Sequence, residues 1–421
     1  MAVIPAFIAE NYFDRRSYAM AYSWTPQRRE LDYLRYIGAS DETAKELKVF
    51  GLSNFIIDRF AWVSHQYYLA NRKLVVRRAV WGTFFSTLGS VGYYIAYLVI
   101  VGQTVAGLIS LGDLTFLSGA FSKLQALLQG ILSRFAIIAQ NALYLKDWFT
   151  FFAIQPQITS PQAPKPLPTV IQKGFRFENV SFKYANSAQW AVRNLTFDLQ
   201  AGEKLALVGE NGAGKTTLVK LITRLYDPKE GRILLDGVDI REYDLQAYRR
   251  MVGTIFQDFV RFQMTAQDNI AVGNIDDRAN QALVEQAAHQ SLAQEVINQL
   301  PEGYGQMLGK RFDNGVDLSG GQWQKIALAR AYMREAQLII LDEPTAALDA
   351  RAEYEVFQRF AQLTQGKTAV LISHRFSTVR MADRILVLQN GQMQEIGSHE
   401  ELLARDGLYA ELFHLQAQGY Q

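Results

Sequence analysis

The stretch GENGAGKTT, residues Gly209–Thr217, decides the fold of the second half of the chain. An apolar run, Lys204–Val208, precedes it and predicts a buried β-strand, and a helix is expected to open near Lys215 and to cover about Thr217–Leu225. At a glycine-rich turn of this kind, backbone N–H groups approach phosphate oxygens closely, and the start of the helix adds a positive dipole. The stretch therefore predicts a strand, a phosphate-binding loop and a helix in succession.

The residues of this loop have distinct expected roles toward ATP and Mg²⁺. Gly209, Gly212 and Gly214 let the backbone approach the phosphates. Lys215 is expected to contact the β and γ oxygens, and Thr216 to help hold Mg²⁺. The other residues predicted to bind the nucleotide in this stretch are Glu210, Asn211, Ala213 and Thr217.

A second stretch, LIILDEP at Leu338–Pro344, predicts a buried strand that ends in two carboxylates. Asp342 is expected beside the Mg²⁺. Glu343 is expected to orient and deprotonate the attacking water, the alternative being a solvated charge at the end of a strand. With strands and helices alternating along Phe175–Gln416, this half of the chain is predicted to be a soluble α/β domain.

Composition limits the class of protein. With 421 residues, two or three domains are expected. Lys and Arg number 43 against 41 Asp and Glu, and the net charge of +2 argues against a general nucleic-acid footprint. The absence of cysteine excludes disulfides and cysteine-based metal or redox sites. We expect no cleavable signal peptide, because MAVIPAFIAE lacks a basic leading region.

The first half of the chain contains two candidate membrane spans. No charged residue occurs from Ala79 to Gly112, and Trp81–Val101 is almost wholly apolar, as a span of about 20 residues requires. The alternative is a buried core helix. A second apolar stretch, about Leu114–Leu145, contains Lys123 and Arg134. Charges within a span usually face a cavity or partner helices, so a hypothesis is that these two residues face an anionic substrate such as a lipid headgroup; the alternative is an amphipathic helix outside the bilayer.

Charge also predicts the topology and the domain boundaries. The link Gln103–Asp113 carries no Lys or Arg, whereas Arg72, Lys73, Arg77 and Arg78 precede the first span, so both ends of the hairpin are expected in the cytoplasm. The proline-rich stretch Gln155–Pro168 predicts a semi-rigid linker. The predicted domains are 1–154, a partial membrane domain with cytoplasmic helices over 11–78 and spans at about 80–102 and 114–145; 155–170, a linker; and 171–421, an ATP-binding domain.

The motif LSGGQ at Leu318–Gln322, between the two nucleotide stretches, makes the pattern specific. The chain resembles the C-terminal part of an ATP-binding cassette (ABC) exporter half-transporter, tightly over Phe175–Leu415 and more loosely before it. The resemblance implies a partial α-helical membrane domain followed by an α/β P-loop NTPase domain. It also implies an ATPase that uses ATP and Mg²⁺ to export a lipid, peptide or drug.

The resemblance assigns roles to further residues. It implies that Ser319, Gly320, Gly321 and Gln322 contact ATP held by the opposite subunit. It also implies that Tyr184, in SFKY, stacks on adenine, and that Gln257, in FQDF, touches Mg²⁺ or water. His374, in LISHR, resembles the residue that contacts the γ-phosphate, and Asp349, in TAALD, resembles an aspartate that links the two sites.

The resemblance extends to the first half of the chain, with departures. Glu46–Phe60 is similar to a cytoplasmic segment that docks into a partner's nucleotide domain, with Phe50 and Phe55 as candidate docking aromatics or core residues. Where relatives often carry an acidic stretch before the signature, MLGKRFDNGVD has Lys310 and Arg311. Lys325 replaces a common arginine, which keeps the charge without the bidentate fork.

The resemblance implies partners and leaves alternatives. The first three spans and most of the fourth are missing from the pattern, so we expect a wrong start or a truncated gene. The implied partners are a second half-transporter, as a homodimer or heterodimer, the lipid bilayer and the transported substrate, without nucleic acid. The implied location is the plasma or inner membrane, with the ATP-binding domain in the cytoplasm. Alternatives are a fragment with ATPase but no transport and a soluble ABC ATPase acting on DNA or ribosomes.

Overall fold

The computed structural model describes residues 3–185, 187–342, 358–373 and 376–418. The chain divides into two compact units, Met1–Gln155 and Pro156–Gln421. The first is helical and the second combines strands with helices, so the predicted fold class is confirmed.

The first unit consists of long helices. They are α1 (Val3–Ser23), α2 (Thr25–Ala39), α3 (Asp41–Val49), α4 (Ser53–Val105) and α5 (Leu111–Phe152). In the part of the chain that the structure describes, α4 and α5 are long and apolar enough to cross a membrane. Both predicted spans lie within these two helices.

The start of α5 differs from the prediction because of a capping box. Ser110 Oγ accepts a hydrogen bond from Asp113 N at 3.1 Å, and Asp113 Oδ2 accepts one from Ser110 N at 2.9 Å. A carboxylate in the first turn of a helix is stabilised by the helix dipole, so Asp113 lies inside α5 rather than in the link. The link is therefore shorter than predicted and covers residues 106–110.

Helix α1 packs against both α4 and α5. Arg78 of α4 forms an ion pair of 2.9 Å with Asp14 of α1, whose carboxylate is buried. On the other side, the hydroxyl of Tyr18 donates to Asp147 of α5 at 2.5 Å. These polar contacts hold the three helices in one register.

The second unit contains two sheets. Its strands are β1 (Gly174–Phe182), β2 (Val192–Gln200), β3 (Lys204–Val208), β4 (Glu230–Leu235), β5 (Val238–Asp239), β6 (Val252–Ile255), β7 (Leu338–Asp342), β8 (Thr368–Ile372), β9 (Arg384–Gln389) and β10 (Gln392–Gly397). One sheet has the order β2-β1-β4-β5 and is antiparallel. The other has the order β10-β9-β3-β8-β7-β6, with every neighbouring pair parallel except β10 with β9.

Helices flank these sheets. They are α6 (Lys215–Ile222), α7 (Leu245–Arg250), α8 (Ala266–Ala271), α9 (Gln281–Gln290), α10 (Ala293–Ile297), α11 (Gly320–Tyr332), α12 (Phe376–Val379), α13 (His399–Ala404) and α14 (Leu408–Gln418). Residues 358–363 are also helical, and short 3₁₀ turns cover Ile240–Glu242, Ile275–Asp277 and Gly303–Gly305.

Two of the buried clusters matter for function. The larger joins the two sheets and α6, and includes Phe177 and Phe197, whose rings stack with centroids 4.3 Å apart. A second cluster is formed by α8 to α11 around the buried ring of Trp323. The phosphate loop and the LSGGQ helix therefore belong to different cores.

Helix α6 covers Lys215–Ile222, so the predicted end at Leu225 was wrong. Arg224 has φ +50°, a left-handed conformation that stops an α-helix. Its guanidinium is buried and donates to the carbonyl groups of Ile240 at 3.1 Å and Thr159 at 3.2 Å. It also pairs with Asp227 at 3.3 Å. The helix ends where this arginine turns inward.

Replacing Arg224 with methionine is expected to destabilise the α/β unit by about 3 kcal/mol, because buried carbonyl and carboxylate acceptors lose their donor. Arg176→Met is the matched control, since Arg176 pairs with Asp198 at 2.7 Å on the surface and should contribute about 0–1 kcal/mol. Urea unfolding of the two variants measures the difference. Equal shifts in the two midpoints would contradict the role of Arg224.

Candidate nucleotide-binding site

The predicted site lies at one edge of the larger sheet. Strands β3, β8, β7 and β6 are neighbours and parallel, so their carboxyl ends meet at that edge. The phosphate loop follows β3, and Asp342 is the last residue of β7. Gln257 comes two residues after the end of β6. Ligands of parallel sheets bind at this edge.

Close backbone packing requires glycine at two points of the loop. Gly209 has φ +151°, and a Cβ there would overlap the carbonyl of Leu388. Gly214 has φ +104°, and a Cβ there would lie 2.6 Å from the carbonyl oxygen of Ala191. Gly212 also has a positive φ, +82°, but no atom lies within 4 Å of its missing Cβ. The loop conformation therefore depends on its neighbours as well as on its own sequence.

Lys215 opens α6 beneath this loop. Its ammonium donates to the carbonyl oxygens of Gly209 at 2.7 Å and Glu210 at 3.0 Å, and the residue is buried. Thr216, the next residue, is exposed, whereas Thr217 is buried. The ammonium thus lies against the loop, as the predicted phosphate contact requires. Asn211 is exposed in the loop, and Ala213 is buried in the core.

Tyr184 lies beside the first turn of α6. Its hydroxyl is 3.2 Å from Thr217 Oγ1. Its ring packs edge-on against Phe182 and Tyr226, with centroids 5.1 Å and 5.4 Å away. These contacts fix an aromatic side chain next to the phosphate loop, where the predicted stacking on adenine would occur.

The oxygen donors at the sheet edge suit Mg²⁺. Asp342 is 2% exposed, while Thr216 and Gln257 are exposed. Carboxylate, hydroxyl and amide oxygens are hard ligands, and Mg²⁺ commonly takes few protein ligands together with phosphate and water. Among the described residues there is no cluster of three or more His, Asp or Glu side chains that could enclose a metal.

Three of the predicted site residues lie outside the described residues. They are Glu343, Asp349 and His374, and they remain predictions from the sequence.

The signature motif has its own local geometry. Ser319 is the N-cap of the 13-residue helix α11, and its Oγ accepts from Gln322 N at 3.3 Å. In return, Gln322 Oε1 accepts from Ser319 N at 2.9 Å, which completes a capping box. Gly320 and Gly321 form the first turn of the helix, and Ser319 is exposed. The motif therefore presents a helix N-terminus to solvent, a favourable place for phosphate.

A cationic groove near this helix was missed by sequence reasoning. It has a volume of about 370 Å³ and is lined by Arg249, Arg330 and Arg334 together with apolar side chains such as Leu225 and Phe262. Within the described residues, none of the three arginines pairs with a carboxylate. The sequence held one weak signal for this groove: Arg330 on α11 and Arg334 just after it have the i, i+4 spacing that places side chains on one face of a helix.

Arg330 shows how this groove is built. Its guanidinium donates to the carbonyl oxygens of Asn269 and Val260, each at 2.9 Å, and lies over the ring of Phe262. Burial lowers the pKa of Arg330 to about 10, so it stays charged at neutral pH. Lys325, by contrast, points to Glu295 at 3.2 Å on the surface of α11.

Comparison with known proteins decides the family. Residues 192–346 match the family model described as ABC transporter. The structure of a bacterial Atm1-family ABC exporter with ATP bound aligns with a TM-score of 0.79 and 31% identity, covering 99% of this chain and 72% of that one. This chain belongs to the ABC transporter family. The two candidate spans ahead of the ATP-binding domain agree with the exporter type.

Curated relatives extend the match to most of this ABC transporter chain. The subtilin transport ATP-binding protein SpaT of Bacillus subtilis is 34% identical over 387 residues, 92% of this chain and 62% of the relative. The ATP-dependent lipid A-core flippase of Alkalilimnicola ehrlichii is 35% identical over 377 residues, 89% of this chain and 62% of the relative. The chain thus spans about three fifths of the length of these relatives.

Replacing Gly214 with alanine is expected to abolish tight nucleotide binding, because the new Cβ meets the Ala191 carbonyl and displaces the loop. Gly237→Ala is the control: Gly237 also has a positive φ, +89°, with no atom within 4 Å of its missing Cβ, and it lies between β4 and β5, outside the loop; the change should cost about 1 kcal/mol of backbone strain and leave nucleotide affinity unchanged. Titration with a fluorescent ATP analogue measures both. Similar affinities for the two variants would contradict the packing argument.

Proposed function

We propose that this chain is the ATP-hydrolysing subunit of an exporter, working as one of two half-transporters in the cell membrane. The observation that carries the proposal is the convergence of the phosphate loop, Asp342 and Gln257 at one sheet edge. The ATP-binding domain faces the cytoplasm, in agreement with the basic residues ahead of the first span. The two candidate spans make a soluble ABC ATPase the less favoured reading.

In the proposed reaction, the loop binds the phosphates of ATP through backbone N–H groups and the ammonium of Lys215. Thr216, Asp342 and Gln257 would hold Mg²⁺, which when bound offsets the negative charge of the β- and γ-phosphates. Glu343, next to Asp342, orients and deprotonates the attacking water. His374 contacts the γ-phosphate, and Tyr184 stacks on adenine.

The second half of each site is proposed to come from the partner. Ser319, with Gly320, Gly321 and Gln322, contacts the γ-phosphate of ATP on the opposite subunit, and Asp349 links the two sites. The exposed start of α11, capped by its own serine, supports this role because its N–H groups point to solvent. ATP binding would close the pair and hydrolysis would separate it.

We further propose that the partner's Glu46–Phe60 segment docks in the cationic groove. Phe50 and Phe55 are exposed, and Phe50 caps the C-terminal end of α3. A helix C-terminus carries partial negative charge, which complements the groove arginines, while the apolar groove walls suit an aromatic ring. This contact would carry motion from the ATP-binding domain of one copy to the helices of the other.

Glu343→Gln is expected to lower turnover by at least about 100-fold, because the amide cannot take a proton from the attacking water. ATP binding should persist, and the variant should accumulate as an ATP-bound dimer. Single-turnover hydrolysis measures the loss of turnover, and size-exclusion chromatography with ATP measures the accumulation of the dimer. Substantial residual hydrolysis would remove Glu343 from the role of base.

Lys215→Ala should raise the dissociation constant for ATP about 10- to 100-fold, because a charge-assisted hydrogen bond contributes roughly 1.5–3 kcal/mol. Lys229→Ala, a change at an exposed position of the same domain, is the control and should bind ATP normally. Unchanged affinity in Lys215→Ala, measured by isothermal titration, would contradict the phosphate-loop assignment.

The docking contact is testable by cross-linking, because the chain has no cysteine of its own. Phe50→Cys combined with Leu225→Cys should give a disulfide-linked dimer on mild oxidation, seen on a non-reducing gel. Tyr36→Cys with Leu225→Cys, which places the first thiol on an exposed site of α2, should not. Equal cross-linking of both pairs would speak against specific docking.

A further inference from the structure

Lys123 is a charged side chain deep within the second candidate span. Helix α5 begins at Leu111, and Lys123 is about 18 Å further along its axis at 1.5 Å per residue. With the start of α5 placed at one face of a hydrocarbon core about 30 Å thick, Lys123 lies near the middle of that core, too deep to reach either interface. A lysine at the centre of a span is costly, and such residues usually face a cavity.

Contacts between α4 and α5 show where Lys123 points. The Phe121 ring lies 6.0 Å from that of Tyr93, and Gln125 Nε2 lies 3.8 Å from the place a Cβ would take at Gly89. These two residues of α5 face α4, so Lys123, two positions from each, projects from the opposite side of the helix. Lys123 is exposed there and, in the described part of the helical unit, pairs with no carboxylate.

Arg134 lies on the same side of α5. It follows Lys123 by three turns, which places it about 20° away around the axis and about 16 Å nearer the cytoplasmic end. Leu127 and Gly130 lie between them on this face, and no atom lies within 4 Å of the missing Cβ of Gly130. We call Lys123, Leu127, Gly130 and Arg134 the cationic stripe.

We infer that the cationic stripe binds an anionic amphiphile: a phosphate or carboxylate headgroup on an apolar tail. Arg134 receives the headgroup at the cytoplasmic boundary, where its planar fork suits phosphate, and Lys123 holds it at mid-membrane. The distance between Lys123 and Arg134 is too long for one headgroup to contact both, so the two side chains bind the headgroup one after the other. Leu127 and the exposed leucines beside it accommodate the tail. This inference rests on the proposed exporter function.

The test uses the full chain with its partner copy in phosphatidylcholine nanodiscs. Monododecyl phosphate should stimulate ATP hydrolysis, whereas dodecanol, dodecyltrimethylammonium and inorganic phosphate should not. Lys123→Gln and Arg134→Gln should each raise the half-stimulating concentration of monododecyl phosphate about tenfold, the loss of one charge-assisted contact. Lys123→Arg keeps the charge, so its half-stimulating concentration of monododecyl phosphate should equal that of the unmodified chain.

Lys146→Gln is the matched control, since it removes one positive charge from an exposed site of the same helix, off the stripe. It should respond like the unmodified chain. Equal stimulation by dodecanol and monododecyl phosphate would overturn the inference. An equal shift of the half-stimulating concentrations of dodecanol and monododecyl phosphate in Lys123→Gln would also overturn it, because that result would indicate that Lys123 pairs with another helix.

Direct binding separates this inference from the proposed function. Retention of monododecyl phosphate by the nucleotide-free protein, followed by native mass spectrometry, does not depend on hydrolysis. Retention that falls in Lys123→Gln and Arg134→Gln but not in Lys146→Gln supports the stripe. No hydrolysis in the unmodified chain would sink the proposed function alone, whereas hydrolysis without selective retention would sink the stripe alone.

Discussion

The α/β unit depends on the close approach of the phosphate loop to backbone from both sheets. Gly209 meets the carbonyl of Leu388 in β9, and Gly214 meets that of Ala191 just before β2. Gly391 bridges the same region, donating to Ala213 at 3.2 Å and accepting from Arg193 at 2.8 Å. A side chain at either loop glycine would push the sheets apart. The conformation proposed to hold phosphates is therefore also the one that joins the two sheets.

Two separate cores are consistent with the proposed division of the ATP site between two copies. The phosphate loop belongs to the cluster between the sheets, and the signature helix to the cluster around Trp323. Ser319 and Gln322 satisfy each other's backbone N–H groups, so the exposed start of this helix is stable on its own. In the proposed dimer, each chain would contribute two unlike half-sites from these two cores.

The helical unit combines two environments within continuous helices. Helix α4 runs for 53 residues, which corresponds to a length of about 80 Å. Its first half carries charged residues and its second half is apolar. The helix continues without a break from the charged part into the apolar part, with its backbone hydrogen bonds made internally. The ion pair of Arg78 with Asp14 lies where the charged part ends. The same helix can therefore serve both the docking segment and the span.

Local pattern alone was sufficient for the fold class, strand β3, the strand ending at Asp342 and the two long apolar helices. These features depend on periodicity, glycine spacing and charge within a short stretch. Helix ends were less predictable: Asp113 lies inside α5 because Ser110 caps it, and Arg224 ends α6 because distant carbonyls bind its guanidinium. Only the tertiary structure placed Tyr184 beside Thr217 and grouped three arginines in one groove. It also placed Lys123 on the side of α5 that faces away from α4. Such contacts join residues far apart in the chain, and no local pattern encodes them.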